Sequence, residues 1–175
     1  MAGFNTIFLI AAAAAGSVAG PSLAQAAPSG TAALERVIAF DNPSDPWLSE
    51  RSSALFSPLW NQASASVAVP GIGLTQVSTS STAAGWDIHR VALKGEWHDL
   101  TLSEFAMTGL PNSGIGAYEL HFAESAKTTL ARLQSMGFPL TGVGRAVQTG
   151  DAECGSKLSV SGDNSRSVFT ISFSC

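Results

Sequence analysis

Charge is what this sequence has least of. Asp, Glu, Lys and Arg fill only 13% of its 175 positions, about half the share of an ordinary globular protein. The lysines are three, Lys94, Lys127 and Lys157, and no run of basic residues occurs. A nucleic-acid binder needs clustered Lys and Arg to displace phosphate counterions, so nucleic acid is excluded as a partner. The net charge of −4 is too small and too scattered for an acidic tail or a steering field. Cysteine is scarce as well: two residues and no Cys-x-x-Cys, which excludes a dithiol redox motif. Gly-x-Ser-x-Gly, Ser-x-x-Lys and His-Glu-x-x-His are all missing, so the usual serine and zinc hydrolase signals are absent. The glycine pairs Gly71/Gly73 and Gly142/Gly144 are fragments of phosphate loops and no more. No cofactor is therefore expected, and nothing in the chain announces an enzyme.

What is present begins with an address. No charged side chain precedes Glu35, and an apolar core near Ile7–Ala15 leads through Gly20-Pro21 to Ala24-Gln25-Ala26. This order reads as a signal peptide over residues 1–26, cut after Ala26, although it carries no Lys or Arg at its start. The core is short for a bilayer span of about 20 residues. Contact with a membrane is expected only through this segment, were it retained. The mature chain, 27–175, then forms one domain in the periplasm or outside the cell, with 27–80 a looser N-terminal part.

Export gives the two cysteines a meaning, because disulfides persist in oxidising compartments. Leu158 and Val160 alternate with polar residues, as do Phe169, Ile171 and Phe173, and "SGDNSR" between them is rich in turn formers. A hairpin centred between Asn164 and Ser165 pairs Val160 with Phe169, Leu158 with Ile171, Ser156 with Phe173 and Cys154 with Cys175. The reading predicts a C-terminal hairpin closed by a Cys154–Cys175 disulfide.

Further elements follow from pattern. "DPWLSERSSALF" predicts a short helix with Asp45 as N-cap and Pro46 at its first position, ended by Pro58. Strands are expected near Ser66–Val69 and Leu74–Val77, at Tyr118–Phe122 and near Gly142–Gln148. "ESAKTTLARLQSMGF" predicts a helix capped by Ser125 and stopped by Gly137. Together they imply an α+β fold: an antiparallel sheet with one or two helices packed on one face.

"WDIHRVALKGEWHDLTL" concentrates the remaining chemistry. A two-residue turn at Lys94-Gly95 places Asp87, His89, Glu96 and His98 on one face and Trp86, Ile88, Ala92 and Trp97 on the other, with an Arg90–Asp99 ion pair. His89, His98 and Glu96 are then candidates for a metal site or an acid–base site. Alternating polar residues on a sheet surface need no such reason. Trp86 and Trp97 form a candidate binding pair, with core packing as the plainer account. Ser113 in "LPNSGIG" is a loop hydroxyl with a turn for its simplest explanation. The expected role is that of a small exported binding, inhibitor-like or cell-envelope accessory protein, whose partner is another exported or envelope protein. The alternatives are a small metal-dependent or acid–base hydrolase using His89, His98 and Glu96, and a carrier of an apolar ligand.

Overall fold

A computed structural model describes residues 34–61, 66–110, 113–150 and 154–174. The proposed signal segment and Cys175 lie outside the described residues. In chain order the elements are α1 Glu50–Asn61, β1 Ser66–Val69, β2 Gly73–Ser81, β3 Asp87–Val91, β4 Gly95–Trp97, β5 Leu100–Gly109, β6 Ile115–Phe122, α2 Ala126–Ser135, β7 Val147–Gly150, β8 Gly155–Gly162 and β9 Ser167–Ser174. Every strand pairing is antiparallel, and one sheet runs β1-β2-β3-β5-β6-β9-β8-β7, with β4 following β3 along the same edge of β5.

The described residues form the expected antiparallel sheet with two helices on its core side, but the closure seen among them is a strand ladder where a disulfide is expected. The described chain is mostly antiparallel sheet, nine strands against two helices. The C-terminal hairpin has the expected register, with Val160 opposite Phe169, Leu158 opposite Ile171 and Ser156 opposite Phe173. The expected Cys154–Cys175 bridge rests on Cys175, which is not among the described residues. Cys154 itself is exposed, and what the described residues show holding the hairpin is the ladder from Gly155–Ser174 to Gly162–Ser167. Asp163 tightens the turn, its Oδ1 accepting from the backbone N–H of Ser165 at 2.7 Å and of Arg166 at 2.9 Å. These bonds hold its carboxyl below the usual aspartate range.

Period-two alternation explains why one face of the sheet is buried. Thr75, Val77, Val91, Phe105, Leu120, Phe169, Ile171 and Leu158 all point into a single core. On the core side lie α1, through Phe56 and Leu59, α2, through Ala126 and Leu133, and the segment carrying Leu34, Val37 and Ile38. The ring of Phe56 sits 4.8 Å from that of Phe105.

The helices show which local signals win. The Ser125 side chain accepts from the Thr128 N–H at 3.2 Å, as its position promised. At the other end Gly137 has φ +94°, and the N–H of Phe138 reaches the carbonyl of Leu133 at 3.1 Å, a Schellman ending. The helix expected from Asp45 starts later. Asn42 accepts from the Ser44 N–H at 2.9 Å and turns the chain back, so that Phe40 pairs with Leu48 before α1 begins. Pro58 does not end α1 but lies inside it. Its cost is about 3 kcal/mol. Burial of Phe56 and Leu59 on either side returns roughly 1.5–3 kcal/mol each and carries the helix through.

The hairpin within "WDIHRVALKGEWHDLTL" turns elsewhere than expected. β3 and β4 run in one direction along β5, and the two-residue turn is His98-Asp99, between Trp97 and its partner Leu100. Both turn residues have positive φ, 49° and 61°, the mark of a type I′ turn. Burial decides this register. A turn at Lys94-Gly95 puts Trp97 on the face opposite Val91 and Leu93. With the turn at His98-Asp99, His89, Val91, Leu93 and Trp97 all enter the core. A β-bulge between Leu102 and Glu104 restores the phase of β5, so that Leu100, Leu102, Phe105 and Met107 face inward too.

Candidate functional site

The candidates His89, Glu96 and His98 do not converge. His89 lies in β3 on the core face, opposite Met107 and Thr79, and is 4% exposed. Its Nδ1 is 3.2 Å from the Thr79 hydroxyl. Glu96 is exposed in β4 opposite Thr101. Met107 and Thr101 are six positions apart on β5, about 20 Å of strand. Among the described residues no group of three His, Cys, Asp or Glu side chains is placed to hold a metal ion. The expected Arg90–Asp99 pair is also re-partnered. Arg90 meets Glu104 at 3.6 Å, within an outer-face cluster where His121 lies 3.2 Å from Glu119 and 3.8 Å from Glu104. The bond from His121 holds the Glu119 carboxyl below its usual range. Ser113 builds its own turn, donating to the Leu110 carbonyl at 2.8 Å.

The tryptophans separate as well. Trp97 is 1% exposed, and its indole N–H donates to the Ile38 carbonyl at 2.7 Å. Trp86 is half-buried and lines a shallow cleft of about 280 Å³ with Ile115, Lys157 and Phe173.

His98 is the candidate that the fold positions most firmly. Its backbone N–H donates to Glu35 Oε1 at 3.2 Å, and its carbonyl accepts from Arg132 Nε at 2.8 Å. Arg132, in the last turn of α2, also donates to the Asp99 carboxylate. Two non-glycine residues at positive φ cost of order 1–3 kcal/mol each and persist where neighbours over-determine them. Glu35 and Arg132, two residues that no spacing in the sequence singles out, supply that constraint. The imidazole packs edge-on to Trp97, 4.7 Å between centroids, at the rim of a cleft of about 330 Å³ lined also by Phe40, Pro43, Met136 and Phe138. Burial lowers its pKa, as does Arg132, against the opposing pull of Glu35 and Asp99.

Arg132→Ala is expected to lower stability by about 1–2 kcal/mol, because a charge-assisted bond to a half-buried carbonyl is lost. Asp99→Ala, which removes only a surface pair, is expected to cost under about 1 kcal/mol. Urea unfolding of both variants checks the order. Equal losses would place the value of Arg132 in its ion pair alone.

His89 and His98 both have folded pKa values below 6.5, burial being the first cause in each. The unfolded chain therefore binds protons that the folded chain resists, and stability falls with pH in that range. The contribution is whole above about pH 6.5 and is lost below it. The urea midpoint is expected to drop between pH 7.5 and pH 5.5, and less so in His89→Gln. A flat wild-type midpoint over that window would contradict the assignment.

On the other side of the Glu35 segment a cleft of about 950 Å³ opens between residues 35–37, α1 and the β1–β2 turn. Val37, Leu55, Ala54 and Pro70 form its apolar lining, and Arg36 and Arg51 stand at it. Sequence reasoning missed this site, since a turn residue and a helix residue distant in sequence carry it. The chain matches no known protein family, no characterised protein and no solved structure.

Proposed function

We propose that the protein is an exported binding module, inhibitor-like or accessory in role, whose partner is another exported or cell-envelope protein. The supporting observation is the cleft of about 950 Å³ between α1 and the β1–β2 turn. Its volume is at the upper end of the range of ligand pockets, its lining is largely apolar, and neither histidine nor nucleophile lines it. A hydrolase using His89, His98 and Glu96 lacks the convergence that acid–base or metal chemistry needs.

The test is a photo-crosslinking amino acid at Ala54, in the cleft, with Ser80 on β2 as control, both in the native host. One dominant adduct with another exported protein at Ala54, absent at Ser80, is the expected result. No adduct specific to Ala54 would sink the reading. A purified mature chain beginning at Ala27 would support export, and an intact Met1 terminus would refute it.

A further inference from the structure

We propose that the cleft between α1 and the β1–β2 turn selects an extended acidic segment of its partner, with carboxylates alternating with apolar side chains. This inference rests on the binding reading above and adds the chemistry of the ligand. Arg36 and Arg51 line the cleft, and both are exposed. Among the described residues neither guanidinium has a hydrogen-bond or ion-pair partner, whereas Arg90 and Arg132 are both paired. The acid in the same lining, Glu35, turns one oxygen to the His98 N–H and so is tied to the β4–β5 turn. Glu50 adjoins Arg51 in sequence but is not part of the lining. The cleft thus presents two unengaged guanidinium forks in a chain whose net charge is −4. A guanidinium takes a carboxylate in two parallel bonds, a geometry that an ammonium cannot copy. Val37, Leu55 and Pro70 share the lining with the arginines and favour apolar side chains on the same ligand. The cleft is partly open to solvent instead of enclosed, which suits a peptide strand better than a buried alkyl tail.

The experiment titrates the mature protein with three blocked eight-residue peptides, alternating leucine with glutamate, glutamine or lysine, and with decanoate. Amide signals of Leu55 and Gly71 report the site, and fluorescence anisotropy reports affinity. The glutamate peptide is expected to shift both signals. Arg36→Ala and Arg51→Ala are each expected to weaken it about tenfold, as loss of a charge-assisted bond implies. Both side chains are exposed, so the variants are expected to keep the fold, and circular dichroism checks that they do. Equal or tighter binding of the glutamine or lysine peptide at these signals would overturn the charge inference and leave the binding module standing. Tighter binding of decanoate would replace the peptide by a lipid. No shift with any probe would remove the cleft as a binding site, and both readings with it.

Discussion

Trp97→Ala is expected to lower the free energy of unfolding by about 5 kcal/mol, most of the stability of a marginal domain. Trp97 is fully buried and contacts Phe40 edge-on at 6.3 Å and Phe122 at 5.8 Å between ring centroids. Truncation leaves a cavity where the N-terminal segment, β4 and β6 meet, worth roughly 3–5 kcal/mol. It also orphans the Ile38 carbonyl, which accepts the indole N–H at 2.7 Å, at a cost of about 1–3 kcal/mol. The two costs overlap, because the chain around Ile38 relaxes toward solvent once the ring is gone. Should the alanine variant fail to fold, Trp97→Phe separates the terms. It keeps an aromatic ring, loses the donor, and is expected to cost about 1–2 kcal/mol. Urea denaturation followed by circular dichroism gives both values. A loss under about 1 kcal/mol for alanine would mean that residues 34–48 are not docked on Trp97.

Gly162→Ala is expected to cost about 3 kcal/mol or more. Gly162 closes β8 at φ +133°, opposite Ser167. A Cβ there stands 2.2 Å from the Arg166 carbonyl oxygen and 2.7 Å from the Ser167 Cα, and both are backbone atoms that no rotamer change can move. The strand end must then part from its partner. This also pulls at the Ser167 hydroxyl, which meets the Thr129 hydroxyl of α2 at 2.7 Å in the core. Gly85 supplies the control. Its φ is +83° and its Cβ position is empty within 4 Å, so Gly85→Ala carries only the left-handed penalty of about 1 kcal/mol. Thermal unfolding of the two variants distinguishes strain from collision. Equal shifts would show that the β8–β9 turn adjusts freely, contrary to its packing.

The contrast between these two sites shows what was legible beforehand. The C-terminal hairpin could be read because Leu158, Val160, Phe169 and Ile171 alternate cleanly around a run of turn formers, and only one register buries all four. The second helix could be read because Ser125 and Gly137 sit where the backbone requires them. The β4–β5 turn could not. Lys94-Gly95 carries a turn signal and His98-Asp99 carries little, yet the core needed Trp97 on the side of Val91. Tertiary burial overrode local turn chemistry, and the bulge after Leu102, which has no signature in the residues, corrected the phase. The candidate face of His89, Glu96 and His98 dissolved with that single register. The cleft of Arg36 and Arg51 was beyond reach for another reason. It exists only once residues 35–37 and α1 have packed beside the β1–β2 turn, and neither arginine stands in a pattern that marks it.

The place of β9 has a consequence for how the chain reaches this state. β5 and β6 form a local hairpin, as do β8 and β9, and such hairpins close in roughly 1–10 μs. The β6–β9 ladder is different. It joins Phe122 to Ser167 and Ile115 to Ser174, with α2, β7 and β8 lying between them in the chain. Its loop-closure entropy is met before any of its contacts form, so this seam is the slow, non-local step. Until it closes, each half of the sheet offers a strand edge backed by an apolar face. A second copy of the chain offers the same edge in the same register. At high concentration during folding, the β6–β9 seam is therefore where exchange of halves between two molecules begins.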